Sequence, residues 1–321
     1  MKNIVLFGFL LLFYACKENQ PKTRYLPESS GNINDITVVM SEKSWNGFLG
    51  HKTRILLSEP YQGLPFDEPE FSIKFIPEKV FTGFTRNSRN IIWFSKDSIG
   101  NFMLSENLMA KPQLVAKIGG EDEEVQAFYL EENIALLKAT ITEIEQTEKL
   151  RRIKKSPSKD KELLDRFNIK ITYPTAYKTF KDTVNFTWIQ KPLQKGHMNL
   201  IAYTLPLNTF KGNIKKRIPA VRDSIGKVHV PGRLPGSYMI TERAYRPYFY
   251  KTSINGKMAY LTKGTWEVAN DFMAGPFVNY MIKDTLKKRW MVIEGFTFAP
   301  SASKRDYMFE LNTILSSIKF K

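Results

Sequence analysis

The sequence predicts an α+β protein, built of antiparallel-rich sheets with packed helices, and three observations carry that expectation. Short β-branched and aromatic runs, supplied by 23 Phe and 14 Tyr among other residues, recur along the chain at lengths suited to strands. One long stretch from Glu121 has apolar residues at three-to-four spacing, as a helix requires. A second stripe of that kind closes the chain.

Taken in order, the first sixteen residues read as an address. Lys2 precedes an eleven-residue apolar run, Ile4 to Tyr14. That is too short to cross a hydrocarbon core of about 30 Å as a helix but suits the centre of a signal peptide. Cys16, the only cysteine, follows Ala15 directly, which predicts a lipoprotein signal peptide over 1–16 and a mature chain beginning at an acylated cysteine. Phe13-Tyr14-Ala15 departs from the common lipobox at two of three positions, so an ordinary secretory signal is the competing expectation. Lys17 and Glu18 follow, not the Asp that holds many lipoproteins in the inner membrane. Anchorage in the outer membrane is therefore expected, with the body in the periplasm or at the cell surface. Residues 17–31, polar and containing Pro21, Pro27 and Gly31, read as a solvated tether.

Residues 32–156 form the expected N-terminal α+β region. Asp35 to Met40 is a strand, Ser41 or Ser44 caps a short helix carrying Trp45, Phe48 and Leu49, and Phe71 to Ile76 and Asn90 to Ser95 are strands of the same sheet. The helix from Glu121 opens on EDEE and ends on KLRRIKK, which complements its dipole at both ends. Ser156-Pro157-Ser158 ends it and marks the boundary of a basic α+β domain over 157–321. A short helix near Lys161 to Phe167 leads into strands at Asn168–Tyr173, Val184–Gln190, Asn199–Leu205, Lys257–Thr262, Val278–Lys283 and Trp290–Phe298. The closing helix, Ser303 to Ile318, aligns Tyr307, Leu311, Ile314, Leu315 and Ile318 on one face.

Charge divides unequally along this plan. Residues 17–150 hold 15 Lys/Arg and 20 Asp/Glu, net −5, whereas 151–321 hold 32 and 12, net +20; Lys2 completes the total of +16. In an exported protein the natural partners of such a basic half are an anionic glycan, lipid headgroups or an acidic envelope protein, and nucleic acid is not expected. A surface kept soluble by excess lysine would have the same composition.

Catalytic motifs are missing where they would be legible. There is no G-x-S-x-G and no H-E-x-x-H. His51, His197 and His229 have no second ligand at metal-binding spacing, so neither a metal nor a cofactor is expected. Glu267 and Asp271, beside Trp266, could serve as acid and base only if both faced one cleft. The stronger candidates lie between Lys211 and Lys251, where Arg217, Arg222, Arg233, Arg243 and Arg246 are mixed with Tyr245 and Tyr248. Guanidinium forks take phosphate or carboxylate in bidentate fashion, and tyrosine faces stack on sugar rings. Within that stretch, His229 to Ser237 (HVPGRLPGS) predicts an ordered loop at a rim.

Several long segments resemble one family. Pro60–Lys74, RNIIWF (Arg89–Phe94), NFTWIQ (Asn185–Gln190), GTWEVANDFMAGPFVNY (Gly264–Tyr280) and Trp290–Leu315 are similar to the Bacteroidota lipoprotein family called domain of unknown function 4837. The resemblance covers nearly the whole mature chain and implies an outer-membrane lipoprotein without an assigned activity. The closing strand, Ala-Pro and basic helix also resemble the end of PsbP-like α/β/α sandwich domains, which implies that arrangement for the second half. Asp97-Ser98-Ile99, Asp182-Thr183-Val184, Asp223-Ser224-Ile225 and Asp284-Thr285-Leu286 resemble the O-glycosylation sequon of Bacteroidota, and composition alone would supply about 0.6 matches. Ser98, Thr183, Ser224 and Thr285 are thus candidate modification sites, expected at exposed turns. The expected function is binding or scaffolding of an anionic envelope component. The alternatives are an envelope enzyme using Glu267, Asp271 or His229, and a structural subunit marked by a large apolar patch.

Overall fold

A computed structural model describes residues 25–210 and 212–321. Cys16, the expected signal peptide and residues 17–24 of the tether lie outside the described residues.

β1 (Asp35–Met40) is buried over five of its six residues, as a strand covered on both faces must be. Ser41 caps α1 (Glu42–Asn46), its hydroxyl accepting from Ser44 N at 3.0 Å. Gly47, in extended conformation, breaks the expected single helix in two before α2 (Phe48–Leu57). β2 (Ser72–Pro77), β3 (Asn90–Lys96), β4 (Asn101–Glu106) and β5 (Leu114–Gly120) complete a five-stranded sheet of order β2-β1-β3-β5-β4. Only β4 with β5 is antiparallel there.

α3 (Glu123–Ile153) is 31 residues long, about 46 Å at 1.5 Å per residue. Asp122 caps it by accepting from Val125 N at 2.8 Å. Its length lets it serve two cores: Leu130, Leu137 and Ile141 pack on the first sheet, whereas Leu150 and Ile153 join the second.

The second half runs α4 (Glu162–Phe167), β6 (Ile169–Lys170), β7 (Lys178–Thr183), β8 (Phe186–Pro192), β9 (His197–Pro206), α5 (Ile214–His229), β10 (Tyr238–Thr241), β11 (Tyr248–Ile254), β12 (Lys257–Ala269), β13 (Asp271–Asp284), β14 (Arg289–Phe298), α6 (Arg305–Ser316) and β15 (Lys319–Phe320). Eight of these strands form one antiparallel sheet, ordered β10-β12-β13-β14-β9-β8-β7 with β11 also on β12. Along β14, Met291 and Ile293 face the core under α6, while Trp290, Val292 and Phe296 face the core under α5. The half is therefore helix, sheet, helix, and its antiparallel sheet makes it no repeat of the first.

Three expectations need correction. The strand expected over 168–173 shrinks to β6, which pairs only with β15, because Thr172 N donates to the Ser317 hydroxyl at 2.9 Å rather than to a strand. Residues 214–229 are a helix, capped by Asn213 and containing Pro219, where the sequence suggested only a basic stretch. The solvated tether ends early: Ser29 N donates to Lys111 O at 3.1 Å and Ser30 N to Asn87 O at 2.7 Å, which docks the chain on the connections that lead into β5 and β3.

The connection between α2 and β2 joins the halves. Glu68 accepts from Lys304 N at 2.8 and 2.9 Å and from Arg305 N at 2.9 Å. It caps α6, which has no side-chain cap of its own. From α3, Lys149 adds an ion pair to Glu310 at 2.6 Å.

Candidate functional site

The structure disperses the arginines that the sequence grouped. Arg222 is 2% exposed on the inner face of α5, so it is corrected from ligand contact to core residue. Its guanidinium binds Glu294 and lies 3.9 Å from the ring centroid of Phe277. A buried arginine needs a buried carboxylate opposite, and β14 supplies it. Arg217 is on the exposed side of α5, and Arg233 binds Asp271 at 2.6 Å.

Tyr245, Arg246 and Tyr248 do come together. After β10 the chain turns through 242–247, held on β12 by Glu242, which accepts from the Thr265 hydroxyl at 3.0 Å and donates its N–H to Thr265 O at 3.0 Å. That turn puts the three side chains on one wall of a cleft of about 590 Å³. Loop 59–67 of the first half is the other wall, and Gly264 and Thr265 complete it. The loop approaches β12 so closely that only glycine fits at Gly63: its φ is +88°, and a Cβ would meet Lys263 Cβ at 2.9 Å and Gly264 N at 3.0 Å. Tyr250 OH donates to Gln62 of the same loop. Arg243 is exposed on the same turn but does not line the cleft.

Tyr61 also lines a polar cavity of about 70 Å³ with Asn34, Glu70, Gln146, Lys263 and Asn312. Asn34 is 1% exposed, and neither atom of its carboxamide has a hydrogen-bond partner. The Lys263 ammonium lies 4.9 Å from the Tyr61 ring centroid. Burial draws it below the ordinary lysine range, with Glu70 opposing, and burial pushes the Tyr61 phenol well above its ordinary value. Glu70 itself is paired with Lys138 at 2.9 Å. The cleft thus presents the exposed Arg246 on one wall with Tyr245 and Tyr248, and Tyr61 lines both this cleft and the polar cavity that holds the unsatisfied Asn34.

Acid–base chemistry finds no such assembly. Glu267 pairs with Ala274 and Val268 with Asp271 across the β12–β13 hairpin, so Glu267 and Asp271 face opposite sides of the sheet. Trp266 is buried, edge-on to Phe296 at 5.6 Å. His229 stacks on Phe186 at 4.2 Å. Burial, helped by the nearby Lys181 charge, lowers its pKa, and no acid partners it among the described contacts. Among the described residues, no cluster of three His, Cys, Asp or Glu side chains is placed to hold a metal ion.

Of the sequon residues, Ser98 and Thr285 are exposed at the β3–β4 and β13–β14 turns, and Thr183 is half-buried at the β7–β8 turn. Ser224 is exposed but sits within α5, its hydroxyl donating to Ala220 O at 2.9 Å, which corrects its expected place in a turn.

A sequence reading missed the other wall of the cleft. Ser58 to Pro69 reads from sequence only as a proline-rich connection, and nothing local says that it docks on Lys263, two hundred residues beyond Gly63.

Residues 156–317 match the family model described as Domain of unknown function (DUF4837). The chain belongs to this family. A second model, Domain of unknown function (DUF8532), matches residues 29–154, so the two meet just beyond the end of α3. No curated protein matches the DUF4837 chain. Among solved structures it is similar to the Ran-binding protein Mog1p of Saccharomyces cerevisiae, with TM-score 0.31 and 10% identity over 47% of this chain and 89% of Mog1p. A Mog1 point mutant gives TM-score 0.30 and 10% identity over 47% and 90%.

Proposed function

We propose that this DUF4837 protein is a cell-envelope lipoprotein, anchored in the outer membrane through Cys16, whose body binds an anionic envelope glycan in the cleft between its halves. The observation that carries the reading is the exposed row Tyr245, Arg246 and Tyr248 facing loop 59–67. A guanidinium with two exposed tyrosines on the same wall suits a carboxylate- or phosphate-bearing sugar, and ligand sites favour domain interfaces. The separation of Glu267 from Asp271 supports binding over catalysis.

The test is calorimetric titration of the full chain carrying Cys16→Ala with a uronate oligosaccharide. Binding should weaken about tenfold or more in Arg246→Ala, fall with added salt, and leave the Tm unchanged. No binding, or equal binding by the variant, overturns the glycan reading. Alkyne-palmitate labelling of cells tests the anchor separately: label should appear on the wild type in the outer membrane and vanish in Cys16→Ala, and an unlabelled wild type refutes lipidation.

A further inference from the structure

The sheet face under α5 is left open where that helix ends. There a second cavity, of about 310 Å³, lies among Trp188, Met239, Trp266, Val268, Met273 and Phe296. That is the small end of the range of about 300–1,000 Å³ for ligand pockets. Its wall is aromatic: Phe180 stands edge-on to Trp188 at 4.7 Å, and Trp266 to Phe296 at 5.6 Å. Two unbranched methionines let such a wall adapt to its occupant.

Polar groups at this cavity are few, and one is fixed in form. Asn199 Oδ1 accepts from Trp188 Nε1 at 2.9 Å and from Gln190 Nε2 at 3.0 Å, and an indole N–H can only donate. Asn199 Nδ2 therefore faces His197 Nδ1, 2.8 Å away, and donates to it. His197 is neutral, with its proton on Nε2, and burial lowers its pKa in agreement. Trp266 Nε1 is buried without an acceptor. Phe180, which lines the cavity, and Leu234 and Phe272, each next to a lining residue, are exposed apolar side chains, whereas Arg233, itself lining the cavity, brings positive charge. Arg233 stays solvent-exposed despite its bond to Asp271.

We propose that this cavity takes the acyl chain of a single-chain anionic lipid, with the chain among the tryptophans and methionines and the head beside Arg233. A sugar would leave its hydroxyls unpaired against the apolar wall. A membrane surface would meet the exposed rim without filling the cavity. The inference is independent of the Tyr245–Arg246 cleft and stands or falls without it.

The probe is bromoundecanoate below its micellar concentration, titrated into the full chain carrying Cys16→Ala, because bromine quenches an indole that it touches. Saturable quenching of Trp188 and Trp266 is expected, absent with undecanoate. Met273→Glu should weaken it about tenfold or more by placing a carboxylate against the apolar chain, whereas Phe272→Ser should keep it. Arg233→Gln, at an exposed position, should weaken binding of the acid but not of the matching bromo-alcohol, with circular dichroism confirming that each variant is folded. No saturable quenching overturns the proposal. So does quenching that survives both Met273→Glu and Arg233→Gln, or that is lost only in Phe272→Ser, which would place the lipid on the rim.

Discussion

Replacing Arg222 by alanine strips a buried carboxylate of its counter-charge. Glu294 is 0% exposed and accepts from Arg222 Nε at 2.9 and 3.0 Å, from Arg222 Nη2 at 2.7 Å and from Asn279 Nδ2 at 2.9 Å. In Arg222→Ala one neutral donor remains for a charge cut off from water, and the guanidinium's contact with Phe277 is lost as well. Breaking a buried pair from one side costs about 3–5 kcal/mol. At about 2–4 °C per kcal/mol for a unit of 150–250 residues, Tm should fall by about 6–20 °C. Urea and thermal unfolding followed by circular dichroism measure both quantities. Arg222→Met combined with Glu294→Leu should recover most of the loss, because removing both charges together is close to neutral. The reasoning is refuted if Arg222→Ala costs less than about 1 kcal/mol, or if the double variant is no more stable than the single one. Arg222→Ala should also leave glycan binding by the folded protein intact, unlike Arg246→Ala.

Acid should weaken the contact between α3 and the segment before β1, where Arg152 Nη2 donates to Gly31 O at 3.0 Å and Arg151 pairs with Glu28 at 3.4 Å. Burial alone would raise the Glu148 carboxyl, but hydrogen bonds and charge from Arg151 and Arg152 outweigh it and hold the pKa down to about 2. A folded pKa below the unfolded value of about 4.5 gives stability that is present above pH 4.5 and lost as pH falls toward 2. Tm measured across that window should fall less steeply in Glu148→Gln, and parallel curves would refute the assignment. Gly63→Ala combines left-handed backbone with a collision against Lys263, so it should cost about 2–3 kcal/mol in urea unfolding. Gly83→Ala, also left-handed but in open space, should cost about 1 kcal/mol, and equal losses would refute the close approach of loop 59–67.

Elements whose cause is local were legible from the chain alone. β1, β3, α3 and α6 lie close to where alternation, three-to-four spacing and end charges put them, because period and capping act between residues a few positions apart. α5 was not legible, since its inward side includes a charged Arg222 that makes sense only once Glu294 is opposite it. The parallel pairing in the first sheet and the antiparallel pairing in the second depend on which strands meet, not on any strand's own pattern. The same limit governs the candidate site. Residue chemistry marked arginines and tyrosines as a candidate binding set and Cys16 as the expected lipidation site. Only tertiary contacts separated Arg222, neutralised inside the protein, from Arg246, left exposed at a cleft whose far wall comes from loop 59–67. A guanidinium's role is set by the charges and solvent around it, and folding brings those from distant parts of the chain.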